Sequence, residues 1–172
     1  RPVTPVEPNQ LLVGAEGAVT IWDWTNDTLV HTYPKHPTQR LSVAFSRDGR
    51  RLASGDWSGN VKLWNAKTGG EPLRSFPETR FAVPALSFSP DASRLAAASF
   101  DRRVDVWDTT TGESVHQLPH SGRVVLAVVY SPDGRLIVAT GEDKTVHVWE
   151  AERGREVLNL RGHALPCGCV AF

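Results

Sequence analysis

Asp101 and Asp143 each stand six residues before a tryptophan, and histidines recur at His36, His120 and His163. Together with Ser54 these are the components of an Asp-His-Ser hydrolytic set, in which the acid orients an imidazole that takes the hydroxyl proton. A second grouping, His163, Cys167 and Cys169 in "HALPCGC", offers nitrogen and thiolate ligands to a soft metal. Neither reading holds up. A catalytic set occurs once, whereas here the acid and the imidazole return in degraded copies, and no exposed nucleophile or oxyanion hole can be nominated. The three metal ligands lack the paired C-x₂₋₄-C spacing of zinc sites. No Gly-rich phosphate loop is present, since the glycines cluster in turns. Catalytic residues, cofactors and metals are therefore not expected.

The recurrence itself is the stronger signal. Trp22, Trp64, Trp107 and Trp149 are separated by 42, 43 and 42 residues. Phe45, Phe88, Tyr130 and Phe172 are separated by 43, 42 and 42, and the first three open the turns "SRDG", "SPDA" and "SPDG". Between these landmarks the pattern is that of strands: "VKLW", "VDVW" and "VHVW" alternate apolar and polar residues at period 2. An aromatic-ended strand a leads through Ser-x-Asp-Gly into strand b ("RLAS", "RLAA", "RLIV"), and strand c ends at Trp. Five residues later a glycine, Gly69, Gly112 or Gly154, suits the turn into strand d. Four short strands fill each period. One such unit cannot bury its own faces, so neighbouring units must stack.

Composition narrows the partners. Lys plus Arg and Asp plus Glu are 19 each, so no basic field draws nucleic acid or an anionic membrane. The longest apolar run, Val124 to Tyr130, is seven residues, against about 20 for a spanning helix. Two cysteines two positions apart cannot staple distant segments, which makes a reduced cytoplasm the expected compartment. With no Met, a Pro-rich start "RPVTPVEP" and an end inside the strand-like "CGCVAF", the sequence reads as a piece of something larger.

These residues resemble the WD-repeat β-propeller family, through Trp22-Asp23, Trp107-Asp108, Trp64-Asn65, Trp149-Glu150 and Gly162-His163 at a period of about 42. The resemblance covers residues 10 to 172 and is to a segment of a larger WD-repeat protein of bacterial type. It implies an all-β propeller of four-stranded antiparallel blades. Residues 1–9 form a tail or linker. Residues 10–34 give strands b to d of a first blade, 39–77, 81–119 and 123–161 three complete blades, and 166–172 strand a of a next or closing blade. A fragment of a seven- or eight-blade ring is preferred to a closed four-blade ring, with two copies pairing into eight blades a third arrangement. Some closure is needed, because an open strand edge invites aggregation.

The resemblance also assigns the recurring polar residues to structure. The Asp six residues before Trp fastens the b to c turn and pairs with the preceding His; that position reads Glu16, Ser58, Asp101 and Asp143. The His positions read His36, Thr79, His120 and His163. The strand-b partner is Ser54 in one unit but Ala97 and Ala139 in others, so these networks are expected to be incomplete. The four tryptophans are read as core.

Function is then sought one residue earlier, on the wide top opening, where Ala15, Trp57, Phe100 and Glu142 stand. Trp57 and Phe100 fall on adjacent blades beside Arg102 and Arg103, and aromatics with Arg are what binding hot spots use. Leu41, Pro84 and Leu126, at the entries to strand a, add apolar area to this face. The alternative is that the two aromatics pack on neighbouring loops. The expected function is a non-catalytic scaffold binding a peptide or protein through Trp57, Phe100, Arg102, Glu142, Leu41 and Leu126, without nucleic acid or membrane. A second expectation is a sensor or targeting segment of a larger kinase or protease, with catalysis outside this chain.

Overall fold

The computed structural model describes residues 10–15, 18–33, 36–38, 41–77, 79–122 and 124–172, with the backbone alone at 11–15 and 41. The expected tail at 1–9, Glu16 and the side chains of Ala15 and Leu41 lie outside the described residues. The described elements are all strands: β1 (Gln10–Ala15), β2 (Ala18–Asp23), β3 (Thr28–Tyr33), β4 (Leu41–Phe45), β5 (Arg51–Asp56), β6 (Val61–Asn65), β7 (Arg74–Ser75), β8 (Ala85–Phe88), β9 (Arg94–Ser99), β10 (Arg103–Asp108), β11 (Ser114–Pro119), β12 (Val125–Tyr130), β13 (Leu136–Gly141), β14 (Thr145–Glu150) and β15 (Arg155–Arg161). They form one three-stranded sheet, β1-β2-β3, and three four-stranded ones, β4-β5-β6-β7, β8-β9-β10-β11 and β12-β13-β14-β15. Every ladder is antiparallel between chain neighbours, as the hairpin turns dictate. These are blades, stacked in chain order through β1 on β4, β4 on β8 and β8 on β12.

The second strand of each complete blade, β5, β9 and β13, is buried along nearly its whole length. β5 and β9 lie between two neighbouring sheets and are correspondingly rich in small residues, as in Ala96, Ala97 and Ala98. The a to b turns close alike: Ser46, Ser89 and Ser131 donate their hydroxyls to Asp48, Asp91 and Asp133 at 2.6, 2.6 and 2.5 Å. The fourth turn residue has positive φ each time, Gly49 at 65°, Ala92 at 58° and Gly134 at 74°.

Blades are tied to one another by a repeated contact. The strand-c tryptophan packs on the last strand of the preceding blade or the residue just after it: Trp64 on Tyr33 with ring centroids 5.3 Å apart, Trp107 stacked at 5.1 Å on Phe76, which follows β7, and Trp149 in one core with Leu118. Arg51 and Arg94 add hydrogen bonds across the same joints, to the carbonyl oxygens of Ala92 and Ala151 at 3.1 and 3.0 Å.

Two expectations change here. Trp22 is only half-buried, unlike the other three tryptophans, because among the described residues no blade stands before it to supply the packing partner. Residues 166–172 belong to no sheet, since no described strand b lies beside them to complete a ladder. Cys167 instead donates its backbone N–H to the Gly141 carbonyl oxygen at 3.2 Å.

Candidate functional site

The b to c turns position both groups of candidate residues, and in the second blade the turn is fully fastened. Asp56, ending β5, accepts from the backbone N–H groups of Ser58 and Asn60, each at 2.9 Å, and from the Asn60 amide at 2.8 Å. His36 places Nδ1 3.1 Å from Asp56 Oδ2 and Nε2 2.6 Å from Ser54 Oγ, and Trp64 Nε1 donates to that hydroxyl at 2.8 Å. Burial pushes the His36 pKa down against the pull of Asp56. The expectation that Ser58 holds the turn position and leaves the network incomplete is thus corrected. Asp56, two residues earlier, bends back from the strand end and does the fastening. Its signal in the sequence was an acid directly after "RLASG", displaced from the Trp-based spacing.

The third blade lacks this network. Asp101 donates its backbone N–H to Ser99 Oγ at 3.0 Å and pairs with Arg103 Nη2 at 3.3 Å. Thr79 directs its hydroxyl to the carbonyl oxygens of Phe81 and Gly59. Arg103 is held also by Asp105 at 3.0 Å, so of the two neighbouring arginines only Arg102 stands out into solvent, on a backbone with φ of 63°.

Above these turns sits the aromatic pair. Trp57 and Phe100 meet edge to face, with centroids 5.6 Å apart and planes at 62°. The pairing follows from the frame: Phe100 donates its N–H to the Ala82 carbonyl oxygen at 3.0 Å, and Trp57 donates its own to Thr38 Oγ1 at 3.2 Å. Trp57 remains 43 % exposed and Phe100 is half-buried. Phe81, next to Ala82, is also largely exposed, a residue that reading by repeat position overlooked. Arg102 and Glu142 are exposed at their turns, and Leu126 and Pro84 are half-buried.

The fourth blade carries a different polar cluster. Asp143 Oδ2 lies 2.8 Å from His147 Nε2 and 3.5 Å from His120 Nδ1, and accepts the Ser121 hydroxyl. His147 Nδ1 faces Glu156 Oε1 at 2.6 Å. Burial would raise the Asp143 pKa, but hydrogen bonds from Ser121, His147 and Thr145 outweigh it and hold the carboxyl well below the usual range. Burial pushes the His120 imidazole down, against the charge of Asp143. His147, Ser121 and Glu156 were not singled out from sequence: His147 occupies a strand position that reads Thr20, Lys62 and Asp105 elsewhere. His163 is exposed and stands apart from this cluster.

Residues 27–65, 70–108 and 112–150 match the family described as "WD domain, G-beta repeat". The chain is 33 % identical over 86 residues to pre-mRNA-processing factor 17 of Saccharomyces cerevisiae, covering 49 % of this chain and 19 % of that protein. It is 35 % identical over 92 residues to periodic tryptophan protein 2 of Arabidopsis thaliana, covering 54 % and 10 %. It is 32 % identical over 109 residues to nuclear distribution protein nudF 1 of Talaromyces marneffei, covering 62 % and 24 %. The chain thus spans a quarter or less of the length of these relatives. All three come from eukaryotes, and the bacterial type expected from the sequence finds no support in them.

Proposed function

The chain belongs to the WD-repeat family, and from that premise we propose that it is a non-catalytic, cytoplasmic interaction scaffold whose b to c turns bind a peptide or protein partner. The observation that carries this reading is the Trp57–Phe100 pair, an edge-to-face aromatic contact left partly open to solvent at the joint of two blades. Aromatic anchors of this kind supply large contact area at low entropic cost, and a neighbouring Arg adds hydrogen-bond donors. Exposed Arg102 and Glu142 give the rim one charge of each sign, suited to a partner of mixed polarity.

Peptides selected from a displayed random library on the wild-type chain, then titrated against Trp57→Ala/Phe100→Ala, test the site. Loss of binding by at least about tenfold is expected, since hot-spot truncations cost about 2 kcal/mol or more. Selected peptides that bind the double variant undiminished would place the binding face elsewhere.

A second reading rests on the relatives' length: a chain that matches a quarter or less of each of these longer proteins serves equally as the targeting segment of a larger signalling enzyme. In either case the blade faces at Trp22 and β15 stay partly open among the described residues, and further blades or a second copy would close them.

A further inference from the structure

The second and fourth blades place a histidine against an aspartate in the same corner, yet only one of these corners is chemically complete. In the second blade both ring nitrogens of His36 have partners, Asp56 and Ser54. In the fourth blade the serine is replaced by Ala139, and the buried His120 Nε2 has no hydrogen-bond partner among the described residues. The space opposite is taken by a second imidazole, His147, whose ring centroid is 4.3 Å from that of His120. Turn fastening accounts for the first corner; in the second Asp143 also fastens its turn, through the Thr145 N–H at 3.1 Å, but that leaves the pair of facing imidazoles unexplained.

The proton positions sharpen this. Gly122 donates its N–H to His120 Nδ1 at 3.0 Å, so that nitrogen presents a lone pair. It faces Asp143 Oδ2, another acceptor, at 3.5 Å, too far for a hydrogen bond. Two acceptors at that separation suit a shared cation: bonds of about 2.0–2.2 Å in a tetrahedral site keep ligand atoms about 3.3–3.6 Å apart. His147 Nε2, 2.8 Å from Asp143 Oδ2, completes the set, and each of the three residues offers a ligand atom within 4.8 Å of those of the other two. Behind it, His147 Nδ1 meets Glu156 Oε1 at 2.6 Å, the carboxylate–histidine arrangement that orients a metal-bound imidazole.

We propose that His120 Nδ1, Asp143 Oδ2 and His147 Nε2 bind one divalent cation of the zinc class. Two imidazoles and a carboxylate suit zinc and its first-row neighbours rather than calcium or magnesium, which take all-oxygen sites. Binding needs local rearrangement: the His147–Asp143 contact opens from 2.8 Å, the Thr145 hydroxyl turns away from His147 Nε2, now 2.7 Å off, the Nε2 proton leaves to solvent, and Gly122 gives up its hydrogen bond to the His120 Nδ1 lone pair. A fourth ligand position is left for water or for Ser121 Oγ, 3.1 Å from His147 Nε2. The cation would clamp the d to a loop, the b to c turn and β14 of this blade. Cys167 and Cys169, the thiols of the soft-metal motif, take no part.

The test is titration of the 172-residue chain with ZnCl₂ by calorimetry and with CoCl₂ by visible absorption. One ion per chain is expected, with ligand-field bands in the cobalt form. His147→Thr, which installs the residue the first blade carries at that position, and Asp143→Asn should weaken uptake at least about a hundredfold, and Glu156→Gln about tenfold. Cys167→Ser/Cys169→Ser should leave it unchanged. Because a variant can fail to fold, histidine-ring nitrogen NMR of the wild-type chain provides a second readout. Zinc should move the His120 and His147 resonances and leave those of His31, His36, His116 and His163 in place. Absence of stoichiometric uptake, uptake that follows the cysteines, or shifts confined to His163 would overturn the site.

Discussion

Leu118 and Leu160 occupy the same register position on consecutive blades, opposite Val104 and Val146, yet Leu118 is 2 % exposed and Leu160 50 %. The position belongs to a series, with Tyr33 at 1 % and Phe76 at 4 %. In each of those blades the next blade's tryptophan covers the side chain; after β15 no described residue does. Leu118→Ala should therefore cost about 2–5 kcal/mol in urea unfolding, and Leu160→Ala no more than about 0.5 kcal/mol in dilute solution. If a second copy covers that face, the cost of Leu160→Ala rises with protein concentration. Equal costs for the two variants in dilute monomer would mean that Leu160 is covered within one molecule.

The two aspartates differ as sharply. Asp56 and His36 are fully buried, and removing the carboxylate strands the Ser58 and Asn60 N–H groups together with the imidazole. Asp56→Ala should destabilise by about 3–5 kcal/mol, because several donors lose their acceptor together and a buried one left unpaired costs about 1–3 kcal/mol. Asp101, half-buried and paired with a partly exposed Arg103, should cost about 1 kcal/mol or less on the same change. Parity between the variants in chemical denaturation would show that the hydrogen-bond set does not decide which acid matters, and a larger loss for Asp101→Ala would give that role to the spacing from Trp.

That contrast marks what the sequence made legible. Strand alternation and Ser-x-Asp turns are local, so the period, the blades and the adjacency of Trp57 and Phe100 follow from short-range pattern. Asp56 does not, because its role arises from a chain that bends back after β5 and cannot be indexed by counting from Trp64. His147 hid in an alternating strand, where an inward polar residue reads as a solvated one until Ala139 and His120 are seen beside it. Trp22 has the same local pattern as Trp107, and its partial exposure depends on a neighbouring blade, which no local pattern records.

Ala92 offers a test of turn strain. It holds φ of 58° where the equivalent residues are Gly49 and Gly134, and a left-handed backbone costs a residue with Cβ roughly 1–2 kcal/mol. Ala92→Gly relieves this but loses a buried methyl group and adds freedom to the unfolded chain, worth about 0.4–1 kcal/mol. The expected outcome is a gain of up to about 1 kcal/mol, read as a higher unfolding midpoint at unchanged denaturant dependence. A loss greater than about 1 kcal/mol would show that packing of the methyl outweighs the backbone strain.

Stability should fall toward acid in two stages. Burial pushes the pKa values of His36 and His120 down, so the unfolded chain takes up protons at these rings before the folded chain does. Their contribution is complete above the ordinary histidine value of about 6.5 and declines as pH drops from there toward the folded values. Hydroxyl hydrogen bonds from Ser89 and Ser131 hold the Asp91 and Asp133 carboxyls below the usual range, so their contribution is present above about pH 3.9 and is lost as pH falls through the folded values. Thermal unfolding measured with a chelator present, to keep metal from the His120 corner, should show a plateau above about pH 7. A decline should follow between about pH 6.5 and 5, and a second below about pH 4. Replacing His36 and His120 by Gln should flatten the first decline and leave the second. A wild-type midpoint unchanged from pH 7 to 5 would mean that these imidazoles take up protons without leaving the fold.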